Sequence, residues 1–170
     1  MSLLRSLLVF GMASMVAGCA GYRLGPTSGQ RAGEKSVQIV PFVNRTPEAR
    51  LGDAVTTAVR KELQRDGTFR LATREAGDLV ITGTLTHYER REVSLVPNDV
   101  ATARDYSLKL TAQVAARESS SGKVLFDQPV TSLTLVRVGP DLPSTERQAL
   151  PLLATELARR ITALVADGSW

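Results

Sequence analysis

The alternation over residues 106–114 constrains the fold of this chain more than any other stretch. Tyr106, Leu108, Leu110, Ala112 and Val114 are apolar at every second position, and Ser107, Lys109, Thr111 and Gln113 fill the gaps. Successive side chains on a strand point to opposite faces, so this pattern makes a strand with one buried and one wet face. An antiparallel sheet tolerates that asymmetry. Residues 79–88 repeat it: Leu79, Ile81 and Leu85 point one way with Gly83 between, and Thr82, Thr84 and Thr86 point the other. Ser119-Ser120-Ser121-Gly122 reads as a turn, and the chain returns from Val124 as a hairpin partner. The phase of that partner slips between Val130 and Leu133, beside Pro129, which predicts a bulge or an edge position. Residues 37–42 and 69–73 read as further short strands. Residues 89–104, with their charges, Pro97 and Asn98-Asp99, read as a long connection.

Two stripes at helical spacing supply the second layer. Leu51, Ala54, Val55, Ala58, Val59 and Leu63 form one, opposite Asp53, Thr57, Arg60, Lys61 and Gln64. Thr46 is expected to cap that helix with Pro47 in its first turn, and Gly67 to stop it. Leu150, Leu153, Ala154, Leu157, Ile161, Leu164 and Val165 form the other. Ser144 or Thr145 can cap it, Pro151 should start or kink its main run, and Gly168 closes it. Two amphipathic helices on a mainly antiparallel sheet make a two-layer α+β domain.

The first 18 residues read as a targeting segment. Arg5 supplies a positive start, an apolar run follows up to Val16, and Ala17-Gly18 is a small-residue cleavage site. The run is shorter than the roughly 20 residues that span a bilayer. Val16-Ala17-Gly18-Cys19 looks like a lipobox, in which the cysteine is acylated and becomes the new amino terminus. Cys19 is the single cysteine of the chain, so no disulfide can form within it. Residues 19–36, rich in Gly, Ser, Thr and Pro, then form a tether, and residues 37–170 form one domain. The net charge of +4 includes Arg5 of the leader. Without basic clusters or many aromatics, this excludes a nucleic-acid platform. Gly33-Glu34-Lys35-Ser36 misses the Gly-Lys pair of a phosphate loop.

Chemistry is scarce. His87 is the single histidine, no set of zinc ligands converges, and no pair of carboxylates stands out as acid and base. The chain therefore reads as a binding or assembly protein, with no cofactor and no catalytic residue. Arg90, Arg91, Lys109 and Arg137 are the candidate anion-binding residues, because guanidinium and ammonium groups bind phosphate. The plainer alternative is that they solvate the sheet.

Several strings resemble one family. Cys19-Ala20-Gly21-Tyr22-Arg23-Leu24 is similar to the mature start of the lipopolysaccharide-assembly lipoprotein family LptE. The run from Val37 through Pro41-Phe42 to Asn44-Arg45-Thr46 resembles its first strand and turn. Ala76-Gly77-Asp78-Leu79 and the strand after it, Gly122-Lys123-Val124-Leu125-Phe126, and Glu146-Arg147-Gln148-Ala149-Leu150 also agree in order. The extra Ala20 and the proline at 151 are departures. The resemblance implies two helices against a four-stranded sheet. It implies a plug for the outer-membrane β-barrel LptD that assists barrel assembly, and binding of lipopolysaccharide, whose lipid A carries phosphates. A second residue other than Asp in the mature chain, here Ala20, fits sorting to the outer membrane, held on its periplasmic side by the Cys19 lipid. The competing readings are an auxiliary lipoprotein of a phospholipid transporter and a periplasmic enzyme using His87.

Overall fold

The computed structural model describes residues 32–96, 99–137 and 141–168. The leader, Cys19, most of the tether and Gly139-Pro140 lie outside the described residues. Six strands and two helices follow in chain order: β1 (Ser36–Ile39), β2 (Val43–Asn44), α1 (Leu51–Asp66), β3 (Arg70–Leu71), β4 (Leu79–Val96), β5 (Asp99–Glu118), β6 (Val124–Arg137) and α2 (Leu142–Asp167). One mixed sheet holds all six in the order β3-β1-β4-β5-β6, with β2 also on β4.

This corrects the expectation of a mainly antiparallel, four-stranded sheet. β1 pairs in parallel with both β3 and β4, and β2 pairs in parallel with β4. Parallel neighbours need a crossover, and α1 supplies the one between β1 and β3. β2 and β3 are two residues long, too short for any period to register in sequence. The antiparallel part is the β4-β5-β6 meander.

Both helices cover one face, α1 beside β1 to β3 and α2 beside β5 and β6. Val37, Ile39, Leu79, Ile81, Leu85, Leu108, Leu110, Ala112 and Val114 meet Leu51, Val55, Val59, Leu63, Leu153, Leu157, Ile161 and Val165 in one core. Each large side chain so buried contributes roughly 1.5–3 kcal/mol. Phe42 packs on Gly83, where a Cβ would lie 2.1 Å from the Phe42 ring. Glycine at 83 is therefore a space requirement. The buried hydroxyl of Thr56 ties this corner together, accepting from the Phe42 N–H (2.9 Å) and donating to the Gly52 carbonyl (2.8 Å).

The helix starts differ from expectation. α1 begins at Leu51, four residues beyond Pro47, with Arg50 at the cap position and no side-chain cap bond. Thr46 instead completes a turn: its N–H and hydroxyl both donate to Asn44 Oδ1 (2.9 and 2.7 Å), and Asn44 Nδ2 donates to the Glu48 carbonyl (2.8 Å). Asn44 thus satisfies the turn locally, and the helix is delayed. Gly67 ends α1 with φ 75°, as expected. α2 begins at Leu142 after Asp141, and Pro151 lies inside it without ending it. Ser144 and Thr145 sit in its first turn, and both hydroxyls donate back to Asp141.

Candidate functional site

Residues 89–104 were the least patterned stretch, and the structure overturns their reading as a connection. β4 runs on to Val96 and β5 starts at Asp99, so the link shrinks to Pro97 and Asn98, outside the described residues. At roughly 3.3 Å per residue, the 18 residues of β4 span about 60 Å. The sequence period fails there for a physical reason. A β-bulge interrupts the pairing between Leu85 and His87, and further irregularities follow between Glu92 and Val96. One extra residue turns every later side chain to the other face. Before the bulge, odd positions of β4 face the helices. After it, Tyr88, Arg90 and Glu92 do, paired with Leu110, Leu108 and Tyr106, while His87, Glu89 and Arg91 face outward, paired with Thr111, Lys109 and Ser107.

The bulge decides which of the candidate basic residues faces the helices. Arg90 faces the helix side, where its Nη1 donates to Glu146 of α2 at 2.8 Å and its guanidinium lies 5.6 Å from the Tyr106 ring centre. The Tyr88 hydroxyl donates to the other Glu146 oxygen. Burial and this bond to a carboxylate push the Tyr88 phenol well above its ordinary pKa of 10. These groups clamp the start of α2 to the hairpin.

Arg91, Lys109 and Arg137 share the outer face. Arg91 pairs with Glu89 at 2.9 Å and holds that carboxyl below its usual range. Arg137 pairs with Asp105 at 3.3 Å. Lys109 is exposed between Glu89 on β4 and Leu133 on β6. His87 is an exposed strand residue with Nε2 3.8 Å from Glu89. Sequence reasoning missed Leu133 and Leu135, 51% and 66% exposed on this face beside Lys109 and Ser107. Their signal was the apparent phase slip in β6. The register is continuous there, and β6 is an edge strand as one of the two alternatives held. Ser132 takes the core-facing position and donates to the Leu153 carbonyl (3.2 Å), which leaves both leucines outside. The site is thus a cationic strip flanked by apolar side chains on an otherwise polar sheet face. Among the described residues, no group of His, Cys, Asp or Glu could hold a metal, and no helix is long and apolar enough to cross a membrane.

A family model described as LptE, lipopolysaccharide-assembly, matches residues 34–164, which include every strand, α1 and all but the last three residues of α2. The chain belongs to the LptE family. That membership fits a lipopolysaccharide-assembly lipoprotein, and the family is a non-catalytic one. No curated protein matches the sequence. Among solved structures, a protein of Xanthomonas campestris is similar at 11% identity with a TM-score of 0.62, covering 86% of this chain and 91% of the other. A hypothetical protein of Chlamydia trachomatis (11% identity, TM-score 0.56) covers 79% and 96%. A minor lipoprotein of Acinetobacter baumannii (17%, 0.52) covers 78% and 92%. At these identities the likeness is one of fold.

Proposed function

We propose that this LptE-family chain is an outer-membrane lipoprotein, held on the periplasmic side by lipid on Cys19, that plugs the LptD β-barrel, assists its assembly and binds lipopolysaccharide in transit. The observation that carries the reading is the outer sheet face. Its threonines, serine, glutamine and ion pairs suit a polar barrel lumen, which would strand an apolar sheet face. Arg91, Lys109 and Arg137 lie within reach of Leu133 and Leu135 on that face, a pairing of cations with apolar surface that suits a phosphorylated lipid. Arg90, engaged by Glu146, supports the hairpin from behind.

The test is depletion of the chain, followed by staining for surface lipopolysaccharide and for folded barrel; both should fall together. The acylated protein, drawn from a detergent extract, should bring a large heat-modifiable barrel with it. Absence of that barrel, or an unmodified thiol on Cys19 by mass spectrometry, overturns the reading.

A further inference from the structure

The last turn of α1 and the last third of α2 enclose a groove of about 340 Å³ on the helix layer. Glu62, Arg65 and Asp66 of α1 and Arg159, Thr162 and Ala163 of α2 line it. Thr162 is 6% exposed, and among the described residues its Oγ1 is the one buried side-chain nitrogen or oxygen without a hydrogen-bond partner. A helical threonine can donate to the carbonyl four residues back. Thr56 does so to Gly52 (2.8 Å), and Thr155 to Pro151 (2.8 Å). Thr162 forgoes the Ala158 carbonyl, so its hydroxyl stands at the groove with donor and acceptor capacity both free. A buried hydroxyl left in that state is destabilising, and a polar ligand atom in the groove relieves it.

The charges around Thr162 are uncommitted as well. None of Glu62, Arg65, Asp66 and Arg159 forms an ion pair with another described residue. Asp66 accepts one bond, from the Thr68 N–H (3.1 Å). Glu62 and Asp66 are like charges four apart on α1, at the helix end where the dipole is already negative. That end favours a cation. The Arg65 and Arg159 guanidiniums favour an anion, above all a phosphate. A zwitterion satisfies both pairs, whereas a simple ion satisfies one.

The groove lies where the anchor segment enters the domain. The Gly33 N–H donates to the Thr68 carbonyl (3.0 Å), two residues past Asp66. The segment from Cys19 to Gly33 can extend at most about 50 Å. A lipid on Cys19 therefore keeps this end of the domain within that distance of the membrane headgroups. We propose that the groove binds the phosphoethanolamine headgroup of a membrane phospholipid. Arg65, Arg159 and the Thr162 hydroxyl serve the phosphate, and Glu62 and Asp66 serve the ammonium. The membrane source rests on the Cys19 anchor proposed above; the zwitterion chemistry of the groove does not.

The acylated full chain in non-ionic detergent micelles is titrated by calorimetry with O-phosphoethanolamine, ethanolamine and inorganic phosphate. Dihexanoyl phosphatidylethanolamine and dihexanoyl phosphatidylglycerol, which share their tails, form the lipid arm. Saturable binding of O-phosphoethanolamine and of the ethanolamine lipid is expected, each about tenfold tighter than the simple ions or the glycerol lipid. Arg159→Gln should weaken both about tenfold, the scale of a lost charged hydrogen bond. Thr162→Val should weaken them about threefold and leave the melting temperature of the ligand-free chain unchanged or higher, because the hydroxyl bonds nothing there. Arg160→Gln, off the groove and paired with Glu156, should bind as the parent does. No saturable binding, a parent-like titration by Arg159→Gln or Thr162→Val, or loss of binding in Arg160→Gln overturns the site. Inorganic phosphate bound as tightly as O-phosphoethanolamine overturns the zwitterion. Binding of the free headgroup without the ethanolamine lipid, or equal binding of the glycerol lipid, overturns the membrane source.

Discussion

The two halves of β4 are built on different physics. Its near half, from Leu79 to Leu85, lies between β1 and β2 on one side and β5 on the other, and buries Leu79, Ile81 and Leu85 under the helices. Its far half, after the bulge, pairs with β5 alone and carries Glu89-Arg90-Arg91-Glu92. A strand with one open edge invites another strand, and four consecutive charges on that edge discourage it. Core burial holds the near half. Polar bonds from Tyr88 and Arg90 to one carboxylate, Glu146, hold the far half. The contrast teaches that one unbroken strand can be a core element and a charged arm at once, provided a bulge changes which side chains face the helices.

Breaking the near half should have the largest effect. Gly83→Val places carbon inside the space of the Phe42 ring and should destabilise the domain by about 3 kcal/mol or more in urea unfolding. Parent-like stability would mean that Phe42 can leave without loss. Deleting Thr86 removes the extra residue of the bulge and should leave Tyr88 and Arg90 opposite Glu146, because His87 then follows Leu85 directly and keeps its pairing with Thr111. A loss of no more than about 1 kcal/mol is expected. The decisive reading is a double-mutant cycle of Arg90 with Glu146, whose coupling should persist in the deletion background. Glu146→Gln in the intact chain should cost a similar amount, about 1 kcal/mol, because the Arg90 side chain is 46% exposed and solvent screens the pair.

Acid separates the halves further. Ser36 N–H and hydroxyl bonds hold Asp78 below its ordinary pKa of 3.8. A depressed carboxyl adds stability above its unfolded pKa and loses it as pH falls through the lower folded value. The loop at Asp78 should therefore loosen only below the usual carboxylate range, and Asp78→Asn should flatten that acid limb of a stability–pH curve. For Tyr88 the raised folded pKa runs the other way: its contribution is complete below pH 10 and declines above it. Tyr88→Phe should remove that alkaline decline. The smallest effect is Lys109→Ala, within about 0.5 kcal/mol in stability, since it is exposed; its consequence should appear in lipopolysaccharide binding.

Legibility followed burial. The core faces of residues 79–85 and 106–114 and both helical stripes were readable, because a side chain that must leave water imposes its period on the sequence. Val93 and the far half of β4 were not, because exposed edge positions accept charge in any phase. The cap at Thr46 was misread because Asn44 competes for the same donors. Of the candidate cations, Lys109 was placed on the polar face from sequence. Arg90 and Arg91, as neighbours on a strand, point opposite ways in any register; which of them faces the helices depended on a bulge that no composition marks.

By itself, the sequence determined a two-layer domain with two amphipathic helices and a polar outer sheet face. Those properties are local: each is written in residues a few positions apart. Only the tertiary structure decided the parallel pairing of β1 with β3 and β4, the position of Ser132 that turns Leu133 and Leu135 outward, and the bond that Arg60 donates to the Ile39 carbonyl. Those depend on hydrogen bonds between segments distant in the chain, where backbone groups pair without regard to side-chain identity.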